Sequence, residues 1–563
     1  MGISCCRATG TFVAQKFAAV AVMATLALGS LNGGLMSQAS AQTLTDGTKP
    51  VLTVGMSSMN ELKNDVNYVT GLVGRPEIGG FFGVAAMAYS QGVDQDEPIG
   101  VLVSMGSGSP QPIVILPTKN VKQILSRLEA QFQEMEEEDD GTIAIGVNGM
   151  TIYVQQKGDV AVAAQSKDAL ALVPKDPKPL YADLAEKHNM GMRLQIQQIP
   201  APIRDAFLGA MRQGFTQAMQ AGGDAGAADS AAATLDQIEQ LIKDSDQLTF
   251  GFGIDAEAGA MVIDTSYTAV AGSVTAAMQQ GQRPIPSRFS AVIRDDAAAY
   301  FHQAGSISPE AIEQTQAGVD ANLDMIRNAL GQPGALPPGM GDEVLGYLER
   351  VFELVTDSVK EGKFDAGVLV LAGEDKLQFV TGLFVSDGRK VAALAKDLAT
   401  KIPDDPKAPR LTFDIETYKG VTLHKLELDV PEREDEARKL FGETLEAYIG
   451  TADKAVYASF GKGSEALLKE FIDSGASDSE EKRPLGQLQV TMLPFLELAN
   501  SIESDDAIAN MISTVGQSAG KGKVRVVMES IENGSEMHIT IGSGVIQAIG
   551  AAIPTAEAGV APF

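Results

Sequence analysis

Leu194-Gln-Ile-Gln-Gln-Ile-Pro200 and Leu488-Gln-Val-Thr-Met-Leu-Pro494 are two renderings of one pattern, with the same Leu-to-Pro spacing. Apolar and polar residues alternate ahead of the proline, as they do along a half-buried strand. The proline itself opens a helix, where its missing N–H costs little. Around both stretches lies the same succession of strands, turns and helices, and that succession decides the fold.

A strand, a tight turn, a second strand and a helix follow one another in four places. Pro98–Phe132, Leu248–Gln280, Phe364–Ile402 and Val524–Ile553 each carry two β-rich runs around a turn, then an apolar period of 3.6. The turns hold Gly106–Ser109, Glu257–Gly259, Gly373-Glu-Asp375 and Glu532-Asn-Gly534, residue types that tolerate the backbone of a hairpin. Gly149-Met-Thr-Ile-Tyr153 matches Gly420-Val-Thr-Leu-His424. Val160–Ala164 with the helix Lys167–Leu172 matches Val456–Phe460 with Gly463–Phe471. The opening Val51–Met56 is paired with Arg288–Ile293. Several matches in one order predict a duplication, with repeat units at 42–282 and 283–553 and a proline-flanked seam at Gly281–Pro286. Hairpins imply antiparallel pairing, and the interleaved helices must cover sheet faces. The expected class is α+β, as two similar tandem units, each a mainly antiparallel sheet of hairpins covered by helices. Three excursions distinguish the units. Ala221–Thr234 reads as a flexible loop, Asp429–Lys454 as a charged helical insertion, and Gly331–Gly341 as a break in a helical hairpin.

Residues 1–41 read as a signal peptide. Arg7 and Lys16 precede an apolar run from Phe17 to Leu31, and Ala39-Ser40-Ala41 supplies a cleavage site before Gln42. That run is short for a membrane span. Cys5 and Cys6, the two cysteines of the chain, lie ahead of it, so the mature chain is expected to have no disulfide and no thiolate chemistry. No later stretch is long and apolar enough to predict an integral membrane segment. The tail 554–563 reads as disordered.

The chain has 563 residues and a formal charge of −29. Cleavage removes two of its 44 basic residues and none of its 73 acidic ones, taking the charge to −31. A surface of that sign repels phosphate backbones, which argues against nucleic acid as a partner. The absence of tryptophan argues against indole platforms for sugars.

No motif for chemistry withstands its plainer reading. Ser107 and Ser109 sit in a hairpin turn, with no G-x-S-x-G elbow around them. The four histidines, His188, His302, His424 and His538, are unpaired in sequence and predict no metal site; His538 alternates with Met537 and Ile539 and falls on a polar strand face. Glu134-Met-Glu-Glu-Glu-Asp-Asp140 lacks the ligand spacing of an EF-hand and reads as a solvated helix end or loop. Gly251-Phe-Gly253 and Gly461-Lys-Gly463 fall short of a phosphate cradle. Phe207, Met211, Phe215 and Met219 have helical spacing and read as core rather than pocket lining. Catalytic, cofactor-binding and metal-binding residues are therefore predicted as none, and no cofactor is expected.

The two-copy plan with its Gly-apolar-Thr-apolar-ring hairpins resembles uncharacterised duplicated secreted proteins of planctomycete-type bacteria. The resemblance implies export and duplication over nearly all of the mature chain, and implies no site residues.

The expected function is that of an exported, periplasmic or extracellular, non-enzymatic binding or structural-interaction protein. Its partner is expected to be a protein or an apolar ligand. A carrier or sensor for an apolar ligand such as a lipid is the first alternative. A hydrolase with a carboxylate site is the second.

Overall fold

A computed structural model describes residues 43–106, 109–129, 132–147, 149–222, 227–330, 340–401, 408–475, 483–518 and 522–552. The predicted signal peptide, both cysteines, the tail 554–563 and most of Gly331–Gly341 lie outside the described residues, as does Ser107. The class is α+β, with sixteen α-helices and one large antiparallel sheet among the described residues.

The first ten strands are β1 Leu52–Met56, β2 Ile99–Gly106, β3 Ser109–Pro117, β4 Glu134–Glu137, β5 Ile143–Val147, β6 Met150–Lys157, β7 Val160–Ala164, β8 Met190–Gln195, β9 Ser245–Asp255 and β10 Ala260–Ala269. The remaining ten are β11 Ala299–Ser306, β12 Lys363–Gly373, β13 Lys376–Phe384, β14 Arg410–Tyr418, β15 Val421–Asp429, β16 Thr444–Ala452, β17 Ala455–Phe460, β18 Gly486–Thr491, β19 Lys523–Ile531 and β20 Gly534–Gly542. Turn chemistry sets the hairpins locally. Lys419 and Gly420 both take positive φ between β14 and β15, and Asn533 does so between β19 and β20.

Hydrogen bonding orders the first ten strands 4-5-6-7-3-2-1-8-9-10. The last ten run 14-15-16-17-13-12-11-18-19-20, the same order with ten added to every number. β10 pairs antiparallel with β20, so all twenty strands form one continuous sheet. The halves are thus joined edge to edge, where the sequence reading expects a separate sheet for each unit with a surface between two lobes.

Eight helices are described in each half, in chain order. The first half carries α1 Met59–Leu72, α2 Pro76–Tyr89, α3 Val121–Leu128, α4 Lys167–Leu172, α5 Ala182–Lys187, α6 Ala201–Gly222, α7 Ala227–Asp244 and α8 Val274–Gly281. The second carries α9 Pro309–Leu330, α10 Met340–Lys360, α11 Gly388–Ala399, α12 Asp435–Phe441, α13 Ser464–Ser474, α14 Met492–Ile502, α15 Asp506–Gly516 and α16 Ser543–Ala552. Helices cross between the halves. α16 packs on α1, where Gly550 lies so close to Val73 that a Cβ would stand 2.7 Å from its Cα, and α8 packs on α9.

Side chains directly opposite on paired strands share a face, so one row can be followed across the sheet. In the first half it reads Val162, Ile115, Gly100, Gly55, Gly191, Gly251, Asp264. The four adjacent glycines make a groove, and α5 lies across it. A Cβ on Gly100 would meet the Tyr181 ring at 2.6 Å, and one on Gly55 would meet the Tyr181 carbonyl at 2.5 Å. On Gly191 it would stand 2.8 Å from Leu184, and on Gly251 it would clash with the His188 ring. The corresponding row of the second half is Tyr457, Gly382, Gly367, His302, Gln487, Val527, His538. There the two glycines receive Phe289, and larger side chains fill the rest of the row.

Both large cores lie on this face. One gathers Leu102, Ile113, Ile115, Val162 and Tyr181, the other Phe289, Leu369, Val380, Tyr457 and Phe471. A smaller core under α3 holds Val121, Leu125, Ile143, Ile145 and Val154 on the opposite face.

Several local expectations are corrected. Arg288–Ile293 is irregular with a short 3-10 turn at Ser290–Val292, and the strand that holds the place of β1 is β11. Asp429–Lys454 is not chiefly helical: the seven-residue α12 is its helix, and Thr444–Ala452 is a strand that pairs on both sides. Ala221–Thr234 is helical up to Gly222 and again from Ala227, as its alanines favour. The match of Tyr153 with His424 is out of phase by one strand; register places Tyr153 and Tyr448 at the same position of their half-sheets.

Glu134–Glu137 is neither helix nor loop: it is β4, one outer edge of the sheet, fully exposed and with like charges along it. Charge on an edge strand discourages pairing with another chain. The other edge, β14, is interrupted by a bulge between Thr412 and Glu416, with Asp414 at φ 55°.

Gly251→Ala is expected to destabilise the chain by roughly 1–3 kcal/mol, as overpacking in a filled site does. Denaturant unfolding measures the loss, and a neutral result would show that α5 is not seated in the glycine groove.

Candidate functional site

The described chemistry converges at the middle of the sheet. β10 and β20 pair over nine residues, from Ala260 opposite Gly542 to Thr268 opposite Gly534, and the central pair is Asp264 opposite His538. Asp264 occupies in β10 the position that His538 occupies in β20, since each is the fourth residue after its hairpin-closing residue, Ala260 and Gly534. A local two-fold axis therefore passes through this pair.

Asp264 holds two imidazoles. Its Oδ1 is hydrogen-bonded to Nδ1 of His538, and its Oδ2 lies 3.5 Å from Nδ1 of His188. His188 is the residue that ends α5, and its ring covers Gly251. The two rings differ in environment. His188 is buried, with a side chain 5 % exposed, whereas that of His538 is 48 % exposed. Burial lowers the pKa of His188, against the pull of Asp264. The hydrogen bond to Asp264 raises that of His538, against a smaller desolvation effect. The cluster thus favours a neutral imidazole and a protonated one on a single carboxylate.

Glu536 lies on the same face, with Ser266 and Glu529 opposite it on the flanking strands. Burial first, then Asp264 and Glu529, raises its pKa. Arg525 reaches Gln487 from β19. A histidine on a carboxylate is a general-base arrangement when a nucleophile is at hand. Among the described residues neither His188 nor His538 is hydrogen-bonded to a hydroxyl or thiol side chain, and no group of His, Cys, Asp or Glu is arranged to hold a metal ion.

The other two histidines are built into the frame. His424 is buried on β15; its Nδ1 accepts the Asp414 backbone N–H at 3.0 Å and its Nε2 stands 3.1 Å from the Thr451 hydroxyl. That ring pins the bulge of the β14 edge. His302 is fully buried on β11, with neither ring nitrogen hydrogen-bonded, and burial pushes its pKa down to about 4.

A second polar cluster ties α1 to the sheet. Asn189 donates to Asp65 at 2.5 Å and accepts the Ile254 backbone N–H. Burial, with Glu61 one turn away, pushes the Asp65 carboxyl up to about 6. Gly251 and Gly253 lie inside β9, whereas Gly461 and Gly463, both at positive φ, lead into α13. Ser109 begins β3, and Phe207 on α6 is solvent-exposed rather than core.

Sequence reading singles out His538 and misses Asp264. An aspartate amid Met261, Val262, Ile263 and Thr265 is the available signal, because aspartate is rare in strand interiors. Its partner lies 274 positions away, which no local pattern reveals.

No family model, no curated protein and no solved structure matches this chain.

Asp264→Asn is expected to return the His538 pKa to about 6.5 or below, its unperturbed range. An NMR titration of the imidazole signals reads this directly, and an unmoved His538 would show that the carboxylate is not its partner in solution.

Proposed function

We propose that this protein is an exported, non-enzymatic interaction protein, built by duplication of a ten-strand unit, that offers an apolar helix face to a protein partner. The surface of α2 carries this reading. Ile78, Phe81, Val84 and Met87 are 52 %, 78 %, 69 % and 61 % exposed, and Glu77 is the one charged residue of the helix. A helix that is apolar on all sides is normally covered. Its inner side already rests on α1, where Gly79 approaches Asn67 and Thr70. The outer side is left for a partner.

A protein with a complementary apolar strip suits this face better than a bilayer does. Interfacial helices draw affinity from Lys and Arg on their polar side. α1 and α2 together offer Lys63 alone, on a chain of net charge −29. No helix among the described residues is long and apolar enough to cross a membrane. A lipid-carrier role has less support: the shallow pocket between Ala291 and α13 is lined by the Arg294–Glu470 ion pair beside Leu467 and Phe471. The carboxylate best placed for a hydrolase, Asp264, is taken up by two imidazoles.

The shared strand order of the two halves supports duplication, which the resemblance to planctomycete-type secreted proteins also implies. Export rests on the leader-like residues 1–41. Amino-terminal sequencing of the protein from its native host is expected to begin at Gln42; a start at Met1 would remove export from the proposal.

A photo-crosslinker at Phe81 is expected to capture one recurrent protein partner, with the adduct lost when Val84 and Met87 are changed to Ser and unfolding is unaltered. No adduct at Phe81, or turnover of a substrate abolished by a single substitution at the Asp264 cluster, would overturn the reading.

A further inference from the structure

We propose that Asp264 and His538 are a titratable clasp that holds the two half-sheets together while the His538 imidazole carries its proton and loosens when that proton leaves. Among the nine opposed pairs of β10 and β20, this pair alone joins two ionisable side chains. It sits on the local two-fold axis, at the centre of the ladder on which the continuous sheet depends. The proposal does not rest on the partner-binding role of α2.

The arrangement is asymmetric in chemistry although symmetric in position. Two copies of one edge strand placed side by side put like residues opposite each other at the axis. Here Asp stands on one copy and His on the other, so the intramolecular edge pairing gains a charge-assisted hydrogen bond. Asp opposite Asp, or His⁺ opposite His⁺, would repel.

The groups that bear on His538 come from each neighbouring element. Asp264 faces it from β10, Glu536 lies two residues away on β20, and the charge of Arg525 acts on it from β19, where Val527 is the residue opposite. Asp264 is shared with His188 at the end of α5, a ring also influenced by Lys187 and Asp183. Burial keeps His188 neutral, so it leaves the carboxylate charge to His538. With the folded-state pKa of His538 raised, the stabilisation is complete below the ordinary histidine value and fades as pH rises through the raised one. The α16–α1 and α8–α9 contacts still join the halves, so the change is a loosening of the ladder and not a separation.

Hydrogen exchange of the full chain tests this, with peptides covering β10 and β20 compared against β2 and β3 after correction for intrinsic rates. Between about pH 6 and pH 8, where histidine titrates, seam protection in the unaltered chain is expected to fall about fivefold relative to the reference strands. His538→Gln and Asp264→Asn are each expected to give low protection that no longer varies with pH, whereas His188→Gln keeps the pH response. A flat profile in the unaltered chain, or the same response in His538→Gln, overturns the clasp. A response lost only in His188→Gln also overturns it, since the sensing ring would then be the buried one.

Discussion

Nine opposed residues of β10 and β20 join ten strands to ten, and every larger feature of the molecule follows from that ladder. Because the pairing is antiparallel and centred on Asp264 and His538, the two half-sheets are related by a local two-fold axis and continue one another. Faces that would otherwise end at an open edge are merged, and the helices at the junction exchange neighbours, α16 resting on α1 and α8 on α9. A cluster of one carboxylate and two imidazoles then lies where two independently folded units would each have shown a bare strand edge.

Closing the centre leaves two outer edges, and each is blunted by a different device. β4 carries Glu134, Glu136 and Glu137 on a four-residue strand, with Glu137 held by Lys122 at 2.7 Å. β14 is bent by its bulge, and the buried His424 fixes that bend by accepting the Asp414 N–H. Charge and irregularity both make an added strand unfavourable. The acidic run thus has a purpose that concerns pairing, and His424 is a clamp on backbone.

The two halves share strand order but differ in how they fill the same row. Four glycines in the first half let α5 lie directly on the sheet, which brings His188 up to Asp264. In the second half His302, Gln487 and Val527 occupy three of those positions, and Phe289 covers Gly367 at the fourth together with Gly382 on the next strand. Among the described residues the second half has no helix in the place of α5, and so no counterpart of His188 beside its own central residue. The asymmetry of the seam cluster goes with the residue on the adjoining strand, Gly251 under His188 in the first half and Val527 in the second.

The alternating stretches at Leu194–Pro200 and Leu488–Pro494, the hairpin turns and the helical periods were legible in the sequence, because each is set by neighbours a few residues apart. They were enough for the α+β class and for the repeated order of elements. Strand correspondence is not legible: by local pattern Tyr153 matches His424, whereas its counterpart in the sheet is Tyr448, since a shift of one strand leaves the local pattern unchanged. Nor did local pattern distinguish an acidic edge strand from a solvated loop at Glu134–Asp140, because exposure looks the same in both. Only the tertiary structure decided that β10 meets β20, and with it that Asp264 meets His188 and His538. Pairing between strands hundreds of residues apart is selected by the closure of the whole sheet, and no short window of sequence contains that information.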